Sequence, residues 1–150
     1  MTAPMQRILV PVDFSETSER AVARAVELAR MSGGNVTLLH VGVVPHFYAT
    51  ELGMSGPSGA LYAQLGQEVA AQQRERIDRL LSEAVPGEIA SRAVVRDGFP
   101  PEEVLLQVAD GDHDLVVMGT HGRTGVRRAL LGSVTERVLR ECPVPVLVTH

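Results

Sequence analysis

The sequence predicts an α/β protein whose mostly parallel sheet carries helices on both faces, and three observations support this. Short apolar runs alternate with segments of helical periodicity in the order β-α-β-α-β-α-β-α-β. The runs are near-continuously apolar rather than alternating, as strands covered on both faces are. A chain of 150 residues with 45% apolar content is enough for one continuous core, so a single domain over residues 1–150 is expected. Strict alternation also implies right-handed crossovers, with ligands bound beyond the carboxyl ends of the strands.

The first strand is Arg7-Ile8-Leu9-Val10-Pro11-Val12, closed by Asp13-Phe14-Ser15. From Thr17 the pattern is helical. Val22, Ala25, Val26 and Ala29 fall at i, i+3, i+4 and i+7, and Gly33-Gly34 is the terminator. The second strand spans 36–41. Pro45, Gly53, Gly56, Pro57 and Gly59 then mark residues 42–60 as a long, mobile loop. A charged helix over 61–84 turns Val69, Ile77, Leu80 and Leu81 inward and its Arg74–Arg79 charges to solvent, and Pro86-Gly87 ends it. Strand three is expected at 89–95, helix three at 101–109, strand four at 115–118, helix four at 132–140 and strand five at 144–148.

Composition narrows the function. A net charge of −4, a pI near 5.7, 3% aromatics and no Trp argue against a nucleic-acid partner. The single Cys142 cannot form an internal disulfide, and no apolar run approaches the roughly 18 residues of a membrane span. The cytoplasm is the expected compartment, with no membrane partner. The histidines, at 40, 46, 113, 121 and 150, show no metal-ligand spacing, and no Gly-x-Ser-x-Gly elbow is present. His121, within the glycine loop, can touch a phosphate but reads first as a solvent-exposed loop residue, and Cys142 reads as a small buried hydrophobe.

The chemistry concentrates in one stretch. Gly119-Thr120-His121-Gly122 begins where the apolar run Leu115-Val116-Val117-Met118 stops, and Gly132-Ser133 follows after nine residues at the start of a helical pattern. Glycines between a strand end and a helix N-terminus let backbone N–H groups close on an anion, which the helix dipole also favours. Ser133 and Thr135 hydroxyls can add donors, and Arg123, Arg127 and Arg128 make the loop cationic. Ser133 also stands at capping-box spacing from Glu136, so its hydroxyl can instead serve its own helix end. No Lys precedes Ser133, so this is not a Walker loop, and it does not follow the first strand as a dinucleotide fingerprint would. Asp13, just past strand one, is the best-placed carboxylate for ribose hydroxyls or for a phosphate-bound Mg²⁺. Val41 can offer its backbone to a base edge while Met118 packs on the ring.

These residues resemble the nucleotide-binding branch of the universal stress protein family. The likeness is carried by Ile8-Leu9-Val10-Pro11-Val12-Asp13, by the Gly-x2-Gly-x9-Gly-Ser pattern at Gly119, Gly122, Gly132 and Ser133, and by Cys142-Pro143-Val144-Pro145-Val146-Leu147-Val148. It implies a three-layer Rossmann-like fold of the adenine nucleotide alpha hydrolase kind, with a five-stranded parallel sheet of order 3-2-1-4-5 and four helices on both faces. It also implies ATP, with Mg²⁺ held through the phosphates, between the loops after strands one and four. By position, Asp13 meets the ribose, Val41 the adenine, Gly119 and Gly122 the ribose and phosphates, and Gly132, Ser133, Val134 and Thr135 the phosphates, with Arg123 nearby. Pro11 and Met118 line the base pocket. A homodimer through residues 144–148 is implied as well.

The expected function is a nucleotide-dependent stress-response or signalling protein with slow or no hydrolysis, since no residue stands out to activate a water. A slow ATPase, or an enzyme phosphorylating itself at Ser55, Ser58 or Thr124, is the alternative. A nucleotide-free dimerisation module is the third.

Overall fold

A computed structural model describes residues 5–42, 53, 55–121 and 131–150. Within them the chain forms β1 (Arg7–Pro11), α1 (Glu16–Ser32), β2 (Asn35–Gly42), α2 (Pro57–Ala84), β3 (Ser91–Asp97), α3 (Pro100–Gly111), β4 (Leu115–Gly119), α4 (Ser133–Glu141) and β5 (Val146–Thr149). The five strands pair in parallel in the order β3-β2-β1-β4-β5.

The two-residue period of a strand sends neighbouring side chains to opposite faces, so each apolar strand feeds two cores. Ile8, Val10, Val36, Leu38, Leu115 and Val117 face one side, where Ala21, Val22, Ala25, Val26 and Ala29 of α1 and Ile77 of α2 cover them. Leu9, Leu39, Val116 and Met118 face the other, under Val104 and Val108 of α3 and Val138 of α4. The sheet is thereby enclosed on both sides, which is why the strands read as unbroken apolar runs.

Helix α1 is well specified at both ends. Ser15 is its N-cap, accepting from the Ser18 amide, Glu16 and Glu19 occupy the first turn, and Gly33 closes it at φ 67° with a bond back to the Ala29 carbonyl.

Element ends differ from the sequence expectation by up to four residues, and three of these shifts have a local cause. Helix α2 starts at Pro57, with Gly56 as N-cap, rather than at residue 61. A proline reads as loop punctuation, yet its fixed φ and missing N–H suit the first helical position. Strand β3 starts at Ser91 rather than 89, because the Ile89 amide closes a turn onto the Pro86 carbonyl at 3.0 Å and Ile89 is buried before the strand begins. Strand β5 starts at Val146 rather than 144. Pro143 and Pro145 have no N–H for the ladder, although the Pro145 carbonyl accepts from Val116 at 3.0 Å. The part of the expected 42–60 loop at residues 43–52 and 54 lies outside the described residues.

The strand order places β1 between β2 and β4, so the chain reverses its direction of travel across the sheet at the β1–β4 boundary. The crevice at the carboxyl ends of those strands is where doubly wound sheets bind ligands.

Candidate functional site

A cleft of about 320 Å³ opens at that boundary. It lies within the size range of small-molecule sites. Pro11, Val12 and Asp13 enter it from the end of β1, Leu39 and Val41 from β2, and Met118 and Gly119 from β4. Gly132, Ser133, Val134 and Thr135 enter from the start of α4, and Pro100 and Val104 from the first turns of α3.

Asp13 is half-buried, and its Oδ1 accepts the Ser15 amide at 3.0 Å and also the Ser15 hydroxyl. The carboxylate is thus tied to the start of α1. Gly119 is required by close approach, since a Cβ there would stand 2.9 Å from the Thr17 backbone carbon and oxygen. The missing side chain lets α1 lie against the end of β4, and the Thr17 hydroxyl then donates to the His121 carbonyl.

Helix α4 supplies the donor end of the cleft. Gly132 is its N-cap, held by a 2.8 Å bond from its own amide to the Thr120 carbonyl, and the first intrahelical bond runs from the Glu136 amide to the Gly132 carbonyl. The amides of Ser133, Val134 and Thr135 therefore precede the helical ladder and have no intrahelical acceptor. The capping-box expectation for Ser133 does not hold. Ser133 is the first helical residue rather than the cap, so its exposed hydroxyl is not committed to the helix end. Thr135 differs from expectation in the other sense, because its buried hydroxyl donates to the Gly119 carbonyl at 2.9 Å. That bond ties α4 to β4 and leaves the backbone N–H as what Thr135 offers a ligand.

Most of the remaining wall is apolar, with Ser18 and His121 as its polar members. Pro11, Leu39, Val41, Pro100, Val104 and Met118 form a slot beside the polar end, suited to a flat heterocycle rather than to a free phosphate. Gly122 and Arg123 lie outside the described residues, as do Thr124, Gly125, Arg127 and Arg128. Among the described residues no group of three or more His, Cys, Asp or Glu could hold a metal ion, and no helix is long and apolar enough to cross a membrane.

Sequence reasoning missed Ser18, Leu39, Pro100 and Val104. Helix α3 follows a strand that the chain direction alone does not place, so only the strand order brings Pro100 and Val104 to the cleft. His121 was misplaced. It lines the cleft half-buried, with Nδ1 2.9 Å from the Thr120 hydroxyl and Nε2 shielded from solvent without a partner among the described residues. Cys142 is half-buried as the C-cap of α4 and packs on the core that contains Met118 and Val138.

Fold and cleft together define a doubly wound parallel α/β protein with a small-ligand cleft at its switch point. The chain belongs to the universal stress protein family, whose model matches residues 4–150. It is 28% identical to universal stress protein MJ0577 of Methanocaldococcus jannaschii, over 99% of this chain and 96% of that protein. The solved structure of MJ0577 superposes with a TM-score of 0.82, covering 98% of this chain and 96% of that one. Two more distant structures share the fold. A universal stress protein in complex with cAMP has a TM-score of 0.64 at 24% identity, covering 99% of this chain and 98% of its own. The universal stress protein of Archaeoglobus fulgidus in complex with dAMP has a TM-score of 0.58 at 20% identity, covering 97% and 98%.

Proposed function

We propose that this chain binds ATP in the β1–β4 cleft and acts in the cytoplasm as a nucleotide-dependent stress-response or signalling protein, with hydrolysis slow or absent. One observation carries the reading. The cleft joins an apolar slot for a base to a carboxylate, Asp13, and to three amides of α4 that lack intrahelical acceptors. Adenine packs between Val41 and Met118, Asp13 accepts from the ribose hydroxyls, and the phosphates lie on Ser133, Val134 and Thr135 with Gly119 and Gly132 beneath them. Gly122 and Arg123, outside the described residues, complete the proposed set of nucleotide-binding residues. Two family members that share the fold hold adenine nucleotides, which supports the base assignment.

Mg²⁺ fits this site as an ion carried in by the phosphates. Asp13 is the one carboxylate among the described lining residues, too few for an ion held by the protein alone, whereas Mg²⁺ readily keeps phosphate and water ligands. The same scarcity of acid and base groups supports binding without rapid turnover.

Calorimetric titration of nucleotide-stripped protein with Mg-ATP tests the proposal, with a Kd of about 1 μM expected, or about −8 kcal/mol. Ser133→Asp suits the start of a helix yet places a negative charge where the phosphates sit. It should weaken ATP by at least about tenfold while leaving adenosine within about twofold, the difference that one lost charge-assisted hydrogen bond makes. Equal loss for both ligands, or phosphate release within seconds in a single-turnover assay, would refute the reading.

The homodimer through residues 144–148 belongs to the same proposal. Both β3 and β5 are edges, but β3 carries Arg92, Arg96 and Asp97, whereas β5 presents an exposed Leu147 between half-buried Val146 and Val148. An apolar edge invites pairing with a second copy, and a charged one discourages it. Sedimentation velocity should give a dimer for the wild type and a monomer for Leu147→Lys.

A further inference from the structure

Phe14 has φ 62°, a left-handed conformation that a bulky residue rarely adopts. The other non-glycine at positive φ among the described residues is Asp112, at a helix C-terminus where that geometry is ordinary. Phe14 has no such excuse, and such conformations persist only where the surroundings over-determine them.

The surroundings do so here. Phe14 stands between Asp13, which lines the cleft, and Ser15, which caps α1. Its side chain leaves the cleft and packs on the core beneath α1 and α2, on the opposite face of the sheet. Two partners hold the ring there. The His40 ring of β2 lies 4.6 Å away, centroid to centroid, tilted by 42°, and the Arg76 guanidinium of α2 lies 4.2 Å over the Phe14 centroid. His40 is buried and fixed by a 2.8 Å bond between Nδ1 and the Val12 carbonyl. One histidine therefore braces both the carbonyl before Asp13 and the ring after it.

We infer that Phe14 is a positioning residue for nucleotide specificity. Wedged under Arg76 and against His40, it sets the backbone that aims the Asp13 carboxylate at ribose hydroxyls, so that the cleft distinguishes nucleotides that carry those hydroxyls from nucleotides that lack them. This rests on the reading of Asp13 given above. Without the ring, the bonds between Asp13 and Ser15 hold the left-handed turn alone, the peptide after Asp13 relaxes, and the carboxylate shifts from its place while the base slot and the α4 amides stay intact.

The test compares ATP with dideoxy-ATP, which lacks both ribose hydroxyls, on wild type, Phe14→Ala, Phe14→Tyr, Arg76→Gln and Asp13→Asn. Phe14→Ala should weaken ATP about tenfold, the worth of one hydrogen bond to a charged group, and dideoxy-ATP less than about twofold. Phe14→Tyr should restore wild-type discrimination. Arg76→Gln changes an exposed helix residue that does not threaten the fold, and should give a smaller selective loss of about two- to fivefold. In the Asp13→Asn background Phe14→Ala should cost nothing further, because both act on one interaction. Equal losses for the two nucleotides, or additive losses with Asp13→Asn, would overturn the inference by making Phe14 merely structural. A wild type that binds ATP and dideoxy-ATP equally would overturn the ribose role of Asp13 and this inference with it. A wild type that binds neither would refute the nucleotide reading itself.

Discussion

At the scale of single residues, the site depends on atoms that are absent as much as on those present. Gly119 shows this, because the contact it permits is with backbone and cannot be relieved by turning a side chain. A methyl group there must push α1 away from β4, since it would meet the Thr17 carbonyl carbon and oxygen at 2.9 Å. Gly119→Ala should therefore cost about 1–3 kcal/mol in urea unfolding, the usual cost of overpacking a filled space. It should also loosen the Thr17–His121 contact at the cleft wall. Gly33, at φ 67° with open space around it, fails differently: substitution there strains the backbone without a clash. The sequence presents both simply as glycine, and only the neighbours of each distinguish close approach from a turn.

At the scale of elements, α1 and α4 both aim their N-termini at the cleft, but they are finished differently. Helix α4 has as its N-cap a glycine with no side chain to accept from the first amides, so they stay available to a ligand. Helix α1 is capped by Ser15, whose backbone and hydroxyl also hold Asp13. Ser15→Ala should destabilise the fold by about 1 kcal/mol and Ser15→Gly by only a few tenths, as measured by shifts in the urea midpoint. The start of α1 was nearly legible, because Asp13-Phe14-Ser15 precedes a clean apolar period. The start of α2 was not. Pro57 and Gly59 punctuate loops and first helical turns alike, and nothing local separates the two uses.

At the scale of the whole molecule, the sequence held the layered fold because each strand is apolar on both faces, and it held the glycine segment because that segment begins and ends with recognisable elements. It did not hold the contribution of α3 to the cleft, the inward turn of His121 or the left-handed turn at Phe14, since each depends on where a distant element packs. His113 belongs to this group and has a consequence for the entire fold. It is buried at the amino-terminal side of β4, with Nδ1 bonded to the Gln107 carbonyl at 3.1 Å. Burial is the largest influence on its ring and pushes its pKa below the ordinary 6.5, the charges of Arg92 and Arg7 push the same way, and the Gln107 bond and Asp114 oppose them. The unfolded chain therefore binds a proton that the folded chain resists, so His113 adds to stability only while it is neutral in both states. That contribution is complete above about pH 6.5 and is lost as pH falls from there to the lower folded value. Thermal unfolding followed from pH 7.5 to 5 should show the wild-type Tm falling more steeply than that of His113→Asn, because titrations elsewhere are common to both chains and cancel in the comparison. Parallel slopes would mean that His113 takes up its proton without opposing the fold, with the ring turning its charge to solvent rather than staying between Arg7 and Arg92.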